Sequence, residues 1–537
     1  MRIKLYGPPG TGKTTTTIRI LREMVKNKEV RAREIKALSF TKSAKWSLLE
    51  KGDFLEVDNV RTIHSFVWRS LKFTKDNILK QTDIKKFFES HGYEYDIRHD
   101  MGEDEVNFDS IDEQQKAGNF LYALINICKH IAGFNYYDIL HRMYEKSETS
   151  NSLTFLTQKE LVNIAKKLDK LMESTEKYDY THGLLMGLKR ENALKEFSGD
   201  VLVQDEYQDI TPLQHAILKR VERNFKHVIT AGDDDQAIFT WAGANPKLLI
   251  GWQADKEEVL GQSWRLPRKV WELGMRIITQ NKNRVEKKYK PRSEEGVVAY
   301  IEFKELEDVL LEADKRGKSV LILARNNFIL QDGYTDLLEE LELPWRRLKQ
   351  HNTKIPEWAK YAQILYFWHK DLASEEEIRK LVLTDEKHFS FRKIAGYKGQ
   401  KEIKEWERMK EIVLKAMLTK DSTVPIVRNL LKDYLFWVDE DDREKWGEKL
   451  PRLSDWSKPL IRMGTIHQAK GLEADIVILD SRLAKKSFME ALDNPEPERR
   501  VLYTGITRTK QELYIVQAHN YPYTYQELGF IGGGRWN

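Results

Sequence analysis

Cysteine is nearly missing. Cys128 is the single one in 537 residues, which excludes an intramolecular disulfide framework and cysteine-rich zinc modules and leaves it as a small core residue. No window approaches the roughly 20 uncharged apolar residues of a membrane span. The first residues, Arg2-Ile3-Lys4-Leu5-Tyr6, run into a glycine turn rather than through the apolar stretch of a signal peptide. A cytoplasmic protein without a membrane partner is therefore expected. An excess of one charge is lacking too: 89 basic residues against 84 acidic give a net charge of +5. That is too little to establish nucleic-acid binding, so any basic surface has to be local. Neither an internal repeat nor a low-complexity tract occurs. The rest, 41% hydrophobic and 32% charged, is the composition of a folded chain. At about 100–200 residues per domain it is too long for one core.

Short apolar runs rich in β-branched residues fall into two groups: 2–6, 36–40, 201–204 and 227–231, then 297–303, 319–324, 475–480 and 513–517. Each is 4–8 residues long and flanked by helical or loop stretches, which predicts two α/β sheets of buried parallel strands. A helical insert interrupts each. In 68–198 the residues Phe120, Leu121, Leu124, Ile125, Cys128 and Ile131 recur at three- and four-residue steps. In about 355–456 Trp358, Tyr361, Ala362, Leu365 and Tyr366 do the same. Such stripes face a core.

Gly7-Pro8-Pro9-Gly10-Thr11-Gly12-Lys13-Thr14 follows the first strand and precedes a helical pattern. This is G-x-x-x-x-G-K-[ST] in its strand–turn–helix setting. The glycines let backbone N–H groups converge on phosphate oxygens, at the positive end of the following helix. Lys13 reaches the β- and γ-phosphates, and the Thr14 hydroxyl is a Mg²⁺ ligand. The motif alone says only nucleoside triphosphate.

The strand at 201–204 leads into Asp205-Glu206-Tyr207-Gln208-Asp209. Adjacent carboxylates at the carboxyl edge of a sheet are common as solvated turns; beside a phosphate loop they have a use. Asp205 is then a Mg²⁺ partner, and Glu206 is placed to polarise an attacking water. Water as nucleophile favours an ATP hydrolase over a kinase.

At this point the chain resembles the UvrD/Rep/PcrA-type helicases of superfamily 1. Asp205 to Asp209 resembles motif II, Ser39-Phe40-Thr41 motif Ia, and Thr62-Ile63-His64-Ser65-Phe66 the T-x-H-S segment. Gly232-Asp233-Asp234-Asp235-Gln236 through Trp241 to Ala244 is similar to motif III, and Gln262-Ser263-Trp264-Arg265 to motif IV. Thr465 to Glu473 and Glu498 to Arg508 are similar to motifs V and VI. The motifs stand in the family's order and span nearly the whole chain. The resemblance implies two RecA-like domains, each with an insert. The segments would be 1–67 and 199–260 around insert 68–198, then 261–354 and 457–537 around a reduced insert 355–456. It also implies ATP between the domains, Gln236 as γ-phosphate sensor, Arg265 and Arg508 as arginine fingers, and Glu473 near the ribose. Cations brought from the opposite domain stabilise transition-state charge only on closure, which couples closure to hydrolysis.

Single-stranded nucleic acid is held by basic grooves and aromatic platforms. The resemblance makes Trp241 the leading platform, with Phe40, Thr41, His64 and Phe66 on the same track; core packing is the competing role for each aromatic. The basic run Arg276, Lys282, Arg284, Lys287, Lys288, Lys290 and Arg292 could follow a phosphate backbone, but such runs are more often solvated. Departures from the family are few. The phosphate loop begins at residue 7, with no room for an upstream adenine-reading Gln motif, so relaxed base selectivity with stacking by Trp264 is expected. Ser263-Trp264 replaces the usual Asn-Tyr. The stretch Phe391 to Gly399 is a poor match to a DNA-binding hairpin, and no nuclease-like cluster follows motif VI.

The expected activity is an ATP- and Mg²⁺-dependent DNA helicase and translocase on single strands and single/double-strand junctions. The resemblance implies 3′→5′ travel. Two rivals are a single-strand-stimulated ATPase that strips bound proteins without unwinding, and a nucleotide-switched DNA-binding module.

Overall fold

The computed structural model describes residues 1–97, 116–148, 156–331, 333–341, 343–348 and 459–532. The second insert expected at 355–456, with its Trp358 stripe and the Phe391 segment, lies outside them. Two compact units are present. The larger comprises 1–313, 318–332 and 464–537 and contains the phosphate loop and the described residues of motifs Ia to VI.

Its first sheet has six parallel strands: β1 (Arg2–Tyr6), β2 (Ile35–Ser39), β3 (Val60–Thr62), β4 (Gly199–Asp205), β5 (Phe225–Gly232) and β6 (Lys256–Val259), in the order β3-β2-β4-β5-β1-β6. The central strands are buried on both faces, which is why they read as continuous Val/Leu/Ile runs. The three-residue β3 and the edge strand β6, Lys256-Glu257-Glu258-Val259, were not among the predicted runs. An edge strand with exposed charges reads like a loop, and those charges also discourage pairing with another chain. Register decides what meets at the carboxyl edge. Ser39 lies opposite Asp205, and Tyr6 opposite Gly232. The segments carrying Phe40, Glu206, Asp233 and Gly7 therefore leave the sheet side by side, where α/β sheets bind ligands.

The described residues of 68–198 are mainly helical. Along the helix Ala117–Ala132, Leu121, Leu124, Ile125 and Cys128 are buried, with Phe120 partly so. They share one core with Leu202 and Val228 of the sheet and with the helices Gln158–Thr175 and Tyr180–Lys189. The insert also buries an ion pair. Lys129, fully buried, reaches Asp169 at 2.8 Å, and Tyr136 and Tyr137 donate to the same carboxylate at 2.7 and 2.8 Å. Those extra hydrogen bonds offset desolvation of the charges.

The second sheet places β7 (Val297–Glu302), β8 (Val320–Ala324), β11 (Ala474–Asp480) and β12 (Thr509–Gln517) in parallel, in the order β7-β12-β11-β8. All four predicted runs of the second group are here. The smaller unit is described at its ends, where β9 (Trp345–Arg347) pairs in parallel with residues 461–463, the start of β10 (Ile461–Thr465). Among the described residues no helix is long and apolar enough to cross a membrane.

Candidate nucleotide and nucleic-acid site

β1 ends at Tyr6, and Gly7 donates its N–H to Gly232 O at 3.0 Å, which locks the phosphate loop to the end of β5. Gly10 and Gly12 have φ of 71° and 78°, in the left-handed region that favours glycine. A Cβ on Gly10 would strike the Arg265 side chain at 2.3 Å, so this position tolerates no side chain. Helix α1 (Lys13–Lys26) starts at Gly12 without a side-chain cap, so its first N–H groups face the loop. Thr11 ties the turn by donating to Pro8 O at 2.8 Å.

Lys13 faces motif II. Its ammonium lies 2.5 Å from Glu206 Oε1 and 3.5 Å from Asp205 Oδ1. Burial works to lower the Lys13 pKa, but the two carboxylates outweigh it and raise it. Burial likewise works to raise Glu206, yet Lys13 and Lys470 hold it at about 2, fully ionised at neutral pH. Asp205 goes the other way: burial raises it against the pull of Lys13, and Glu206 adds to the rise. Glu206 is one of four non-glycine residues with positive φ among the described residues, at 56°. A strained backbone at this position turns its carboxylate toward the phosphate loop. Gln208 braces it from behind, donating to Glu206 Oε2 at 2.6 Å and accepting the Asp233 N–H at 2.9 Å.

The segments associated with the second sheet close around this cradle. Ser263 donates to Pro9 O at 2.7 Å, and Trp264 donates its N–H to Gly10 O at 2.8 Å. The Trp264 ring is 72% exposed, a free face beside the phosphate loop. Arg265 is held by Glu473 through Nε at 2.7 Å and Nη2 at 2.6 Å, and donates to Thr507 O at 3.2 Å. Glu473 thus engages Arg265 and also Lys510, at 3.0 Å. Burial works to raise the Glu473 pKa, but Arg265 and Lys510 hold it at about 2. Arg508, just past the C-cap Thr507 of the helix Pro495–Ile506, donates to Gln236 Oε1 at 2.6 Å. Burial, with Arg265 adding to it, pulls its guanidinium down to about 9, still charged at neutral pH.

The expected nucleic-acid residues divide. Trp241 is half-buried and makes edge-to-face contact with His467 of motif V, centroids 5.9 Å apart, and with Phe239 at 6.3 Å. Phe40 stands 5.7 Å from Phe239 and is half-buried. Thr41 is the N-cap of the helix Lys42–Lys51, accepting the Ala44 N–H at 3.2 Å. His64 is half-buried, and burial lowers its pKa to about 4. Phe66 corrects the expectation. It is fully buried and packs on Phe197 at 4.5 Å, so its ring is a core ring and no platform for a base. The helix Ile63–Ser70 buries Ile63, Phe66 and Val67, an i, i+3, i+4 stripe that was readable in advance as core.

Four side chains that the structure brings to the site escaped the sequence reading. Lys470 bonds to Asp209 and, at 2.7 Å, to Gln236 O, and lies over the Phe239 ring at 5.3 Å. Gln208 is the brace just described. Lys287, from the run read as solvated, is buried against the motif III aspartates, and Arg284 joins it there. Only tertiary contacts say which way such lysines face.

Fold and site together define a P-loop protein built on two RecA-like sheets. Residues 2–257 match the family model of the UvrD/REP helicase N-terminal domain, and residues 460–516 that of the UvrD-like helicase C-terminal domain. A probable DNA helicase II homolog of Rickettsia conorii is 21% identical, over 96% of this chain and 90% of its own length. The ATP-dependent DNA helicase PcrA of Bacillus subtilis is 24% identical over 58% of this chain, and Rep of Buchnera aphidicola 22% over 59%. The matches cover 54% of that PcrA and 62% of that Rep. The chain belongs to the UvrD/Rep/PcrA type of superfamily 1 DNA helicases.

Proposed function

We propose that this chain is an ATP-dependent DNA helicase and translocase that moves 3′→5′ along single-stranded DNA, driven by Mg²⁺-dependent ATP hydrolysis. One observation carries the reading. Gln236, bonded to Arg508 on one side, lies five residues before Trp241, which packs against His467 of motif V. A change of phosphate state at Gln236 thus has a short covalent path to an aromatic on the expected strand track.

Each side chain has a task in this scheme. Lys13 leaves its carboxylate partners for the β- and γ-phosphates, and the glycine turn wraps the same anion. Glu206, ionised and braced by Gln208, takes the proton of the attacking water. Arg508 and Arg265 face charge that builds on the transferred phosphoryl group, and Gln236 reads its presence. Trp264 offers its exposed ring to the base, and Glu473 steadies Arg265. Trp241, with Phe40, Thr41 and His64 beside it, meets the DNA strand.

The donor set also fits Mg²⁺. Thr14 and Asp205 supply hard oxygen donors at the cradle, where the buried Asp205 and the half-buried Glu206 both lie against Lys13, and hard oxygen donors of this kind suit a divalent cation. Bound there, the metal would neutralise charge on the β- and γ-phosphates.

Duplexes carrying a 3′ or a 5′ single-stranded tail, and single strands blocked by streptavidin at either end, test the proposal. Opening of 3′-tailed duplexes with ATP and Mg²⁺ is expected. Opening of 5′-tailed duplexes alone contradicts the direction. Streptavidin displacement without duplex opening assigns the protein-stripping activity instead, and ATP-dependent binding without directed movement assigns the switch.

A further inference from the structure

β5 ends at Gly232, and three consecutive aspartates follow, each with its side chain at or near zero exposure. Three buried carboxylates in a row need cations in contact with them. Lys287, itself fully buried, provides one. Its ammonium is 3.2 Å from Asp233 Oδ1, 2.6 Å from Asp234 Oδ1 and 2.9 Å from Asp235 Oδ2. Arg284 grips Asp235 with two hydrogen bonds of 2.8 and 2.6 Å, and Val285 donates its N–H to Asp234 Oδ2 at 2.9 Å. Arg500 adds a bond from Nε to Asp234 O at 3.0 Å. The segment 284–287, some twenty residues beyond motif IV, is thereby fastened to motif III by charge.

The fastening reaches the nucleotide site. Asp233 turns Oδ1 toward Lys287 and accepts the Gln236 side-chain N–H at Oδ2, at 2.7 Å. Gln236 in turn accepts Arg508 at its oxygen. An amide has one donating and one accepting end, and an ionised carboxylate only accepts. As long as Asp233 stays ionised, the Gln236 nitrogen points to it and the oxygen to Arg508. We propose that Lys287 is a positioning residue for hydrolysis: by pairing with Asp233 it sets the orientation of the Gln236 amide, and through it the approach of Arg508. The inference rests on the ATPase reading above. It differs from that reading in giving Lys287, which lies outside the matched motifs, a part in the rate of the chemical step.

A double-mutant cycle tests it. ATP turnover at saturating single-stranded DNA is measured for the wild type, Lys287→Met, Gln236→Ala and the double variant, with thermal melts to verify folding. Lys287→Met alone is expected to lower kcat about tenfold while KM for ATP stays within about threefold, the pattern of an interaction used only in the transition state. In the Gln236→Ala background the same change should lower kcat less than about twofold, because the residue it acts through is gone. Equal losses in both backgrounds, or no loss from Lys287→Met alone, would overturn the proposal. Should the methionine variant melt below the assay temperature, Lys287→Arg, which keeps the charge but moves its donors, carries the same cycle with the same two outcomes. Glu206→Gln runs alongside. A wild type whose hydrolysis is absent, or survives that change, overturns the ATPase reading and this inference together. Loss of hydrolysis in Glu206→Gln with an additive cycle overturns the inference alone.

Discussion

Arg508 Nη2 lies 2.6 Å from Oε1 of Gln236, 272 residues away in sequence. The bond joins the residue that precedes β12 to the loop that follows β5. Gln236 also meets Lys470 at its backbone oxygen, so residues of motifs III, V and VI converge on one short segment. In the proposed ATPase scheme this convergence ties the relative position of the two sheets to the residue assigned to reading the γ-phosphate, as a hydrolysis-driven motor requires.

Arg508→Lys keeps a positive charge but loses the planar fork that holds Gln236 and, in the proposed scheme, would also meet a phosphate oxygen. Its kcat should fall by about 10³-fold or more, in the range of a lost arginine finger. Binding of a fluorescent ATP analogue should change far less. A comparable loss of nucleotide binding would recast Arg508 as a ground-state contact.

Trp241 and Phe66 should separate cleanly. Trp241→Ala is expected to weaken binding to oligo-dT by about 1–3 kcal/mol, the worth of one base stack. Phe66→Ala removes a fully buried ring and should cost about 3–5 kcal/mol of stability in urea unfolding, with affinity for oligo-dT intact in the folded fraction. The reverse pattern would return Phe66 to the track.

How far could this division be read without the structure? The phosphate loop, the carboxylate pair and eight of the strands were legible, because buried β-branched runs and a glycine turn leave local signatures. Phe66 was legible too, had the i, i+3, i+4 stripe been weighed against the motif. Lys287 and Lys470 were not. A lysine in a charged stretch looks the same whether it meets water or a buried aspartate, and only the packing of distant segments decides. The exposed edge strand β6 escaped for the related reason that Lys256-Glu257-Glu258 has no apolar run to detect.

Two histidines, His130 of the insert and His64 ahead of it, make stability depend on pH. His130 is buried between Thr211 and Thr181, at 3.1 and 3.3 Å. Burial, with His64 and Lys129 adding to it, holds its pKa down at about 3, against 6.5 for a free imidazole. The unfolded chain therefore binds a proton below pH 6.5 that the folded one refuses. Stability present above pH 6.5 is lost progressively as the pH falls from there toward about 3. His64, lowered to about 4, acts in the same direction. Urea midpoints taken between pH 7.5 and pH 5 should fall for the wild type and fall less steeply for His130→Gln. Parallel slopes for the two proteins would show that another group carries the effect.

The central claim is that the Lys13–Glu206 cradle hydrolyses ATP under the control of a strand bound at Trp241. It is tested most directly by steady-state ATP hydrolysis without DNA, with single-stranded DNA and with blunt duplex, for the wild type and Glu206→Gln. The account predicts strong stimulation by single strands, weak stimulation by blunt duplex, and loss of hydrolysis in Glu206→Gln with ATP and DNA binding retained. A rate indifferent to DNA, or one that survives Glu206→Gln, would contradict it.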